Sequence, residues 1–426
     1  MLLATLWHGL VRASRRAPTL SALRGALTRD AAPLANTQAA LVRSLARTAW
    51  GIFVPGALTV PAYGAYSVLQ TTAAVVSQVG VLGAPQTILR EPQRSVPLGG
   101  LLLHSVLVAA VALSVMGFVA PVSGGDGYYS LLGAMALAQI GYATLLPRAK
   151  AVGAFREVLR AEWMGAASVG LAMAVSLMSG VAAQRSHYGP LVVLETLATV
   201  VVLASLVLSH GARIGAQEWR VAGLSKELRS VYSVGMLVLL DVLIWRRLEL
   251  YFLQASPDGL KGVAVFGLAS QVATLALLVP GAMVEAWSPG LAATSRTGRE
   301  AFVARLRENQ RIYLPTFGVI TAGALALTPV LVHVLFARYV AWMGYILAFV
   351  AIRVACGYAG FYSAALYATK RERMLYLPVL VGGTIGVLSN TALTLRWGLS
   401  GAVAAYALTQ GTVALATWLA FRRADR

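Results

Sequence analysis

The sequence predicts an all-α polytopic membrane protein of twelve transmembrane helices, and two features of the 426-residue chain carry that prediction. Hydrophobic residues make up 58% of it and charged residues 12%, and the apolar residues gather into twelve stretches near the ~20 residues a helix needs to cross a hydrocarbon core. The charges supply the second feature. The chain has 35 Lys and Arg, 16 Asp and Glu and a net charge of +19, and its cations fill every second gap between apolar stretches while the alternate gaps are almost bare.

Residues 1–40 come first, mixing Leu2, Leu3, Leu6, Trp7, Leu10 and Val11 with arginines and a single acid, Asp30. This composition suits a basic amphipathic helix lying on an anionic leaflet, and it equally resembles an organellar transit peptide. A cleavable secretory signal is excluded because the apolar run at 2–6 precedes the basic cluster instead of following it. Span one, at 41–62, carries Arg43 and Arg47 near its start and Pro55 and Gly56 further along. Long arginines can snorkel from a helix end. Deleting this span would put the amino terminus and the next basic gap on opposite sides of the membrane. The remaining spans fall at 65–89, 98–120, 128–146, 161–182, 190–210, 231–253, 262–286, 312–335, 340–365, 374–394 and 398–421. Gaps at 211–229 and 290–311 mix Arg, Glu and apolar residues as amphipathic surface helices do. The units expected are the segment 1–40, a first set of six spans over 41–210, a linker at 211–230, a second set over 231–421 and a tail at 422–426.

With the amino terminus in the cytoplasm, 28 cations lie inside and four, Arg185, Lys261, Arg338 and Arg396, lie outside. The positive-inside rule then fixes both termini as cytoplasmic. Trp50, Trp163, Trp287, Trp342, Trp397 and Trp418 fall at or near span ends, where indole prefers the membrane boundary, and Trp245 lies deep in span seven. So many cations also raise nucleic-acid binding. Here they are split among segments separated by membrane, which suits orientation and contact with lipid headgroups.

Enzymatic motifs are missing: the chain has no phosphate-cradling Gly-rich loop, no HExxH, no Cys/His cluster and no GxSxG elbow. Its single cysteine, Cys356, excludes an intramolecular disulfide, and His8, His104, His187, His210 and His333 are scattered, so neither a metal site nor a cofactor is expected. The outer gaps are too short for a folded domain. Any chemistry on that side has to occur within the bundle.

Ionisable residues inside spans are therefore the candidates, since each costs a few kcal/mol at the bilayer centre unless it faces a cavity or partner. Span seven carries Asp241, Arg246, Arg247 and Glu249. At about 100° per residue, Asp241, Glu249 and Arg246 share one face and Arg247 points away. Arg246 and Glu249 are also spaced for a local ion pair, which leaves Asp241 and, in span ten, Arg353 without an evident local partner. Glu195 in span six is a further candidate, whereas Glu162 and Glu285, at span ends, are expected at the interface. Cations facing a cavity suit an anionic headgroup, and a carboxylate beside them suits a proton or alkali cation. Pro280, Gly281, Pro315 and Pro329 offer hinge points or simply pack.

Several segments resemble the MOP superfamily, specifically its polysaccharide and lipid-linked oligosaccharide flippases, a superfamily that also holds the MATE multidrug exporters. Pro-Ala-Tyr-Gly-Ala-Tyr-Ser at 61–67 and the segment from Gln78 to Arg90 are similar to the family's first turn and second helix. Trp-Arg-Arg-Leu-Glu-Leu-Tyr-Phe-Leu at 245–253, Gly-Val-Ala-Val-Phe-Gly-Leu-Ala at 262–269 and Trp-Gly-Leu-Ser-Gly-Ala-Val-Ala at 397–404 resemble its seventh, eighth and last helices. The long basic amino-terminal extension and the Arg-flanked first span depart from the pattern.

The resemblance implies two pseudo-symmetric six-helix lobes around a central cavity, a non-enzymatic carrier and a bacterial inner-membrane location. It implies alternating-access translocation of polyprenyl-diphosphate-linked oligosaccharide or exopolysaccharide repeat units, with Arg246 or Arg247 facing the diphosphate beside Glu249. Arg353, Asp241 and Glu195 match no family motif and rest on burial logic. The implied partners are the anionic lipid-linked glycan, membrane lipids and polysaccharide polymerase or assembly proteins. Three other readings stay open: a cation-coupled drug exporter, which calls for a more acidic cavity; a membrane glycosyltransferase or polymerase, which calls for large catalytic outer loops; and a non-transporting scaffold.

Overall fold

The structure is a computed structural model that describes residues 31–85, 88, 97–119, 128–178, 186–210, 248–369 and 371–425. Helices account for the regular structure throughout, with no strand among the described residues. In chain order they are α1 (Ala31–Ala57), α2 (Val60–Val81), α3 (Leu98–Val119), α4 (Tyr128–Ala151), α5 (Phe155–Met178) and α6 (Gly189–His210). After the undescribed 211–247 come α7 (Leu248–Gln254), α8 (Gly259–Thr297), α9 (Arg299–Leu335), α10 (Met343–Gly357), α11 (Ala359–Ala368), α12 (Tyr376–Ser389) and α13 (Leu395–Asp425). The helices on either side of 211–247 are called here the first and second halves.

Local sequence sets several of the boundaries. Thr59 caps α2 through its side chain, which accepts from Ala62 N at 3.4 Å, and a proline in the first turn costs no helical hydrogen bond. The exterior is apolar: Leu107, Leu171, Leu177 and Val334 are each more than half exposed. The interior holds Thr71, Thr72, Ser77, Glu249, Asn390 and Gln410, all buried. This inversion suits a chain solvated by lipid, where internal polar groups must find partners within the protein. Among the described residues, seven helices are long and apolar enough to cross a membrane.

The expected spans reappear with four changes. First, α1 begins at Ala31, well before 41. Trp50 consequently lies inside the bundle, 4% exposed, instead of at the boundary. Second, the gap at 290–311 holds no separate surface helices. Helices α8 and α9 have 39 and 37 residues, or about 55–60 Å at 1.5 Å per residue, so both outrun a ~30 Å hydrocarbon core and meet at Gly298. Third, span ten is divided between α10 and α11. Fourth, span eleven ends in a π-helical turn, Asn390–Thr394. Of span seven only α7 is described, so Asp241, Arg246 and Arg247 lie outside the described residues.

Helix α8 is the hub of the second half, packing on α9, α10 and α11, and it also forms the main seam with the first half by lying against α2. Gly64 makes that approach possible, since a Cβ there would overlap the carbonyl oxygen of Leu260. Gly267 sits further along the seam, where a Cβ would lie 3.0 Å from Ser67 Oγ. Thr72 and Tyr251 hydroxyls join the halves deeper in the bundle, at 3.3 Å.

Candidate functional site

Each half holds a carboxylate inside the bundle with an arginine in its neighbourhood. In the second half, α7 carries Glu249 into the core, where it is 0% exposed and neither carboxylate oxygen has a hydrogen-bond partner. Arg353 on α10 supplies the opposing charge. Its Nη1 donates to Oε1 of Gln410 at 3.5 Å, and Tyr406, one turn earlier on α13, interacts with both Arg353 and Glu249. Asn390, in the π turn, is also beside Glu249. Its amide nitrogen donates to Gly386 O at 2.9 Å and its Oδ1 accepts from Thr394 at 2.7 Å, which leaves the second N–H of the amide free to turn toward Glu249. Phe266, Phe349 and Tyr406 stack edge to face at 4.9–5.7 Å and wall this centre. Glu249 thus sits near an arginine without a formed hydrogen bond on either oxygen, an arrangement that favours a bound proton or cation whenever Arg353 turns elsewhere.

In the first half, Arg43, Arg47, Trp50 and Val54 form one stripe of α1. Trp50 Nε1 donates to the Tyr66 hydroxyl at 3.0 Å, which in turn donates to Glu195 Oε2. Gln70 Nε2 donates to the other Glu195 oxygen at 3.0 Å. Arg47 acts on Glu195 electrostatically, and its guanidinium lies 5.8 Å from the Tyr142 ring centre, as does that of Arg43. Arg43 Nε and the Tyr142 hydroxyl both donate to Glu162 Oε1, at 2.9 and 2.6 Å. A polar chain therefore lies against the Arg43–Trp50 stripe of α1 and Tyr66 of α2, from Glu162 on α5 past Tyr142 on α4 to Glu195 on α6.

Of the residues singled out from sequence, Glu249 and Arg353 meet in one centre and Glu195 lies in the other. Glu162, expected at the interface, is 4% exposed and ion-paired within the bundle. Arg47 and Arg43, counted with the orienting cations, prove to be part of the internal polar chain. Their spacing with Trp50 on one helical stripe was the available signal. No group of three or more His, Cys, Asp or Glu suited to a metal occurs among the described residues. A cleft of about 400 Å³ between α10 and α13 is lined by Ala341, Gly344, Tyr345, Ala348, Ser400 and Val403. It contains neither carboxylate.

No protein-family model and no curated protein matches the chain. Solved structures do. An inward-facing multidrug resistance MATE family transporter of the MOP superfamily aligns with TM-score 0.65 and 15% identity, over 90% of this chain and 94% of that one. The outward-facing conformation of such a transporter aligns at 0.59 and 13% identity, over 92% and 94%. A Vibrio cholerae MATE transporter aligns at 0.62 and 11% identity, again over 92% and 94%. The chain has a MATE-like fold, and with its apolar helices it is a multi-pass membrane protein.

Proposed function

We propose that this chain is an alternating-access carrier that moves lipid-linked anions, with polyprenyl-diphosphate-linked oligosaccharide or exopolysaccharide repeat units as substrate. The observation that supports it is that each half holds arginine and carboxylate side chains together inside the bundle, Arg43 on Glu162 at 2.9 Å with Arg47 on the same stripe in the first half, and Arg353 near the buried Glu249 in the second. Organic-cation export would be served by carboxylates without such cations. A diphosphate needs guanidinium groups, which match phosphate oxygens in a two-pronged geometry. Arg246 and Arg247 of span seven are proposed as further contacts, with Asp241 as an additional cavity carboxylate.

The cycle follows from exchange of partners. When Arg353 turns from Glu249 to a substrate phosphate, Glu249 loses its counter-charge and gains affinity for a proton or alkali cation. Substrate and cation binding are thereby linked, and the linkage is reciprocal. Residues 41–210 and 231–421 act as the two lobes and 211–230 as their linker, in a bacterial inner membrane with both termini cytoplasmic. Polysaccharide polymerase or assembly proteins are the partners this reading implies. No step requires a catalytic residue.

Proteoliposomes loaded with fluorescent lipid-linked sugar test the proposal. Protein-dependent translocation is expected, falling at least about tenfold in Arg353→Ala and Arg47→Ala, the loss of one charge-assisted contact. Extrusion of organic cations without headgroup translocation would replace this reading with drug export. Transfer of sugar between lipids would replace it with an enzyme.

A further inference from the structure

The end of the bundle that charge placement assigns to the outside holds a contact between the halves that orientation does not call for. A 3₁₀ turn, Ala337–Trp342, joins α9 to α10 in the second half. From it Arg338 reaches across to the first half, where Nη1 donates to the carbonyl of Leu58 at 2.5 Å and Nη2 to the carbonyl of Gly56 at 2.8 Å. These carbonyls belong to the carboxyl-terminal end of α1. That end has unpaired acceptors and the negative pole of the helix dipole, both of which attract a cation.

Beside the hook the same turn inserts Tyr339, 1% exposed, whose ring meets Tyr63 of α2 edge to face at 6.4 Å. Phe336 and Trp342 flank it at 6.5 and 6.4 Å. Gly64, the next residue after Tyr63, is where α2 touches the backbone of Leu260. The hook and the ring plug therefore sit over the α2–α8 seam, and Ser67, 6% exposed, lies beneath them.

We propose that Arg338 is the latch of the outer gate, a guanidinium hook that holds the second half onto the end of α1 and must release before the outer mouth opens. Lysine cannot take its place fully, because its single ammonium nitrogen replaces the two guanidinium nitrogens that reach the two carbonyls separately. The contact is charge-assisted, so its loss shifts the closed–open balance at least about tenfold. This inference rests on alternating access, the reading proposed above.

Cysteine accessibility tests it. In a Cys356→Ala background, Ser67→Cys is exposed to a membrane-impermeant maleimide added outside intact cells, so that the labelling rate reports how often the mouth opens. With Arg338 in place labelling is expected to be slow. Arg338→Ala and Arg338→Gln should raise it at least about tenfold, and Arg338→Lys should fall between. Spin labels at His187→Cys and Lys261→Cys, outside the seam, provide a second measurement, a longer distance population that grows in the same order. An unchanged rate and distance distribution in folded Arg338→Ala and Arg338→Gln overturns the latch, and so does labelling with Arg338 present as fast as that of an exposed cysteine. Neither readout uses a substrate. A failed latch therefore leaves the transport reading standing, while a wild type that labels as expected but moves no lipid-linked sugar rejects that reading and keeps the gate.

Discussion

At the scale of single residues, the two carboxylates differ in how they are held. Neither oxygen of Glu249 accepts a hydrogen bond, so the nearby Arg353 charge is its main compensation. Removing Arg353 leaves an unpaired buried charge, at a cost of about 3–5 kcal/mol, whereas removing both charges together costs far less. In SDS-unfolding equilibria, Arg353→Ala is therefore expected to lose much more stability than Glu249→Gln, and the pair Arg353→Met with Glu249→Gln to recover most of it. An Arg353→Ala protein as stable as wild type would refute the pairing. Glu195 is held by donors instead, through the Trp50 to Tyr66 relay and Gln70. Tyr66→Phe deletes one hydroxyl and strands both the indole N–H and a carboxylate oxygen, a loss of about 1–3 kcal/mol. Stability within a few tenths of a kcal/mol of wild type in the same assay would show that the relay carries no weight.

At the scale of elements, one residue in α13 shows how a helix start is enforced from outside. Gly398 adopts φ 56°, ψ −130°, a conformation reserved for glycine. Beyond it the helix restarts with Leu399 N donating to Asp258 Oδ2 at 2.6 Å, so Asp258, from the turn before α8, acts as a cap in trans. Gly398→Ala adds backbone strain and places a methyl group on that carboxylate. Thermal denaturation should show a loss of about 2 kcal/mol or more, and Asp258→Ala about 1 kcal/mol, the typical worth of a cap. Equal, near-zero effects would mean that the junction is not enforced. The placement of the apolar middle of most helices was legible in the sequence because hydropathy reports the bilayer core, but the lengths of α8 and α9 were not, since their polar ends continue the helix beyond it. The start of α1 was not. Arg43 and Arg47 interrupt its hydropathy, and only Glu162 and Tyr142, more than ninety residues away along the chain, explain how these arginines enter the bundle. The partner of Arg338 was hidden for a related reason: one cation in a short outer gap gives no sign of a contact until the end of α1 is placed beside it. The π turn at 390–394 and the break after Gly357 depend on tertiary packing, and neither has a proline to announce it.

At the scale of the whole molecule, the gate and the first-half carboxylate are physically continuous. Tyr63 meets Tyr339 at the plug and stacks on Tyr66 at 6.2 Å, and Tyr66 donates to Glu195. A change in what Glu195 binds therefore has a packed route to the outer mouth. That route has the intended sense only if the hook end of the bundle faces away from the cytoplasm. The 28 cations assigned to the inner gaps and the four assigned to the outer ones favour this orientation by the positive-inside rule. Accessibility separates it from the inverse. In a Cys356→Ala background, His187→Cys and Lys261→Cys, both exposed at the hook end, should react with an impermeant maleimide on intact cells. Arg305→Cys, exposed on the extension of α9 beyond the opposite end, should react only after permeabilisation. The reverse pattern would turn the latch into an inner gate. It would also oppose the positive-inside rule with most of the chain's charge, so a single reversed site would need to be matched by all three before the orientation is abandoned.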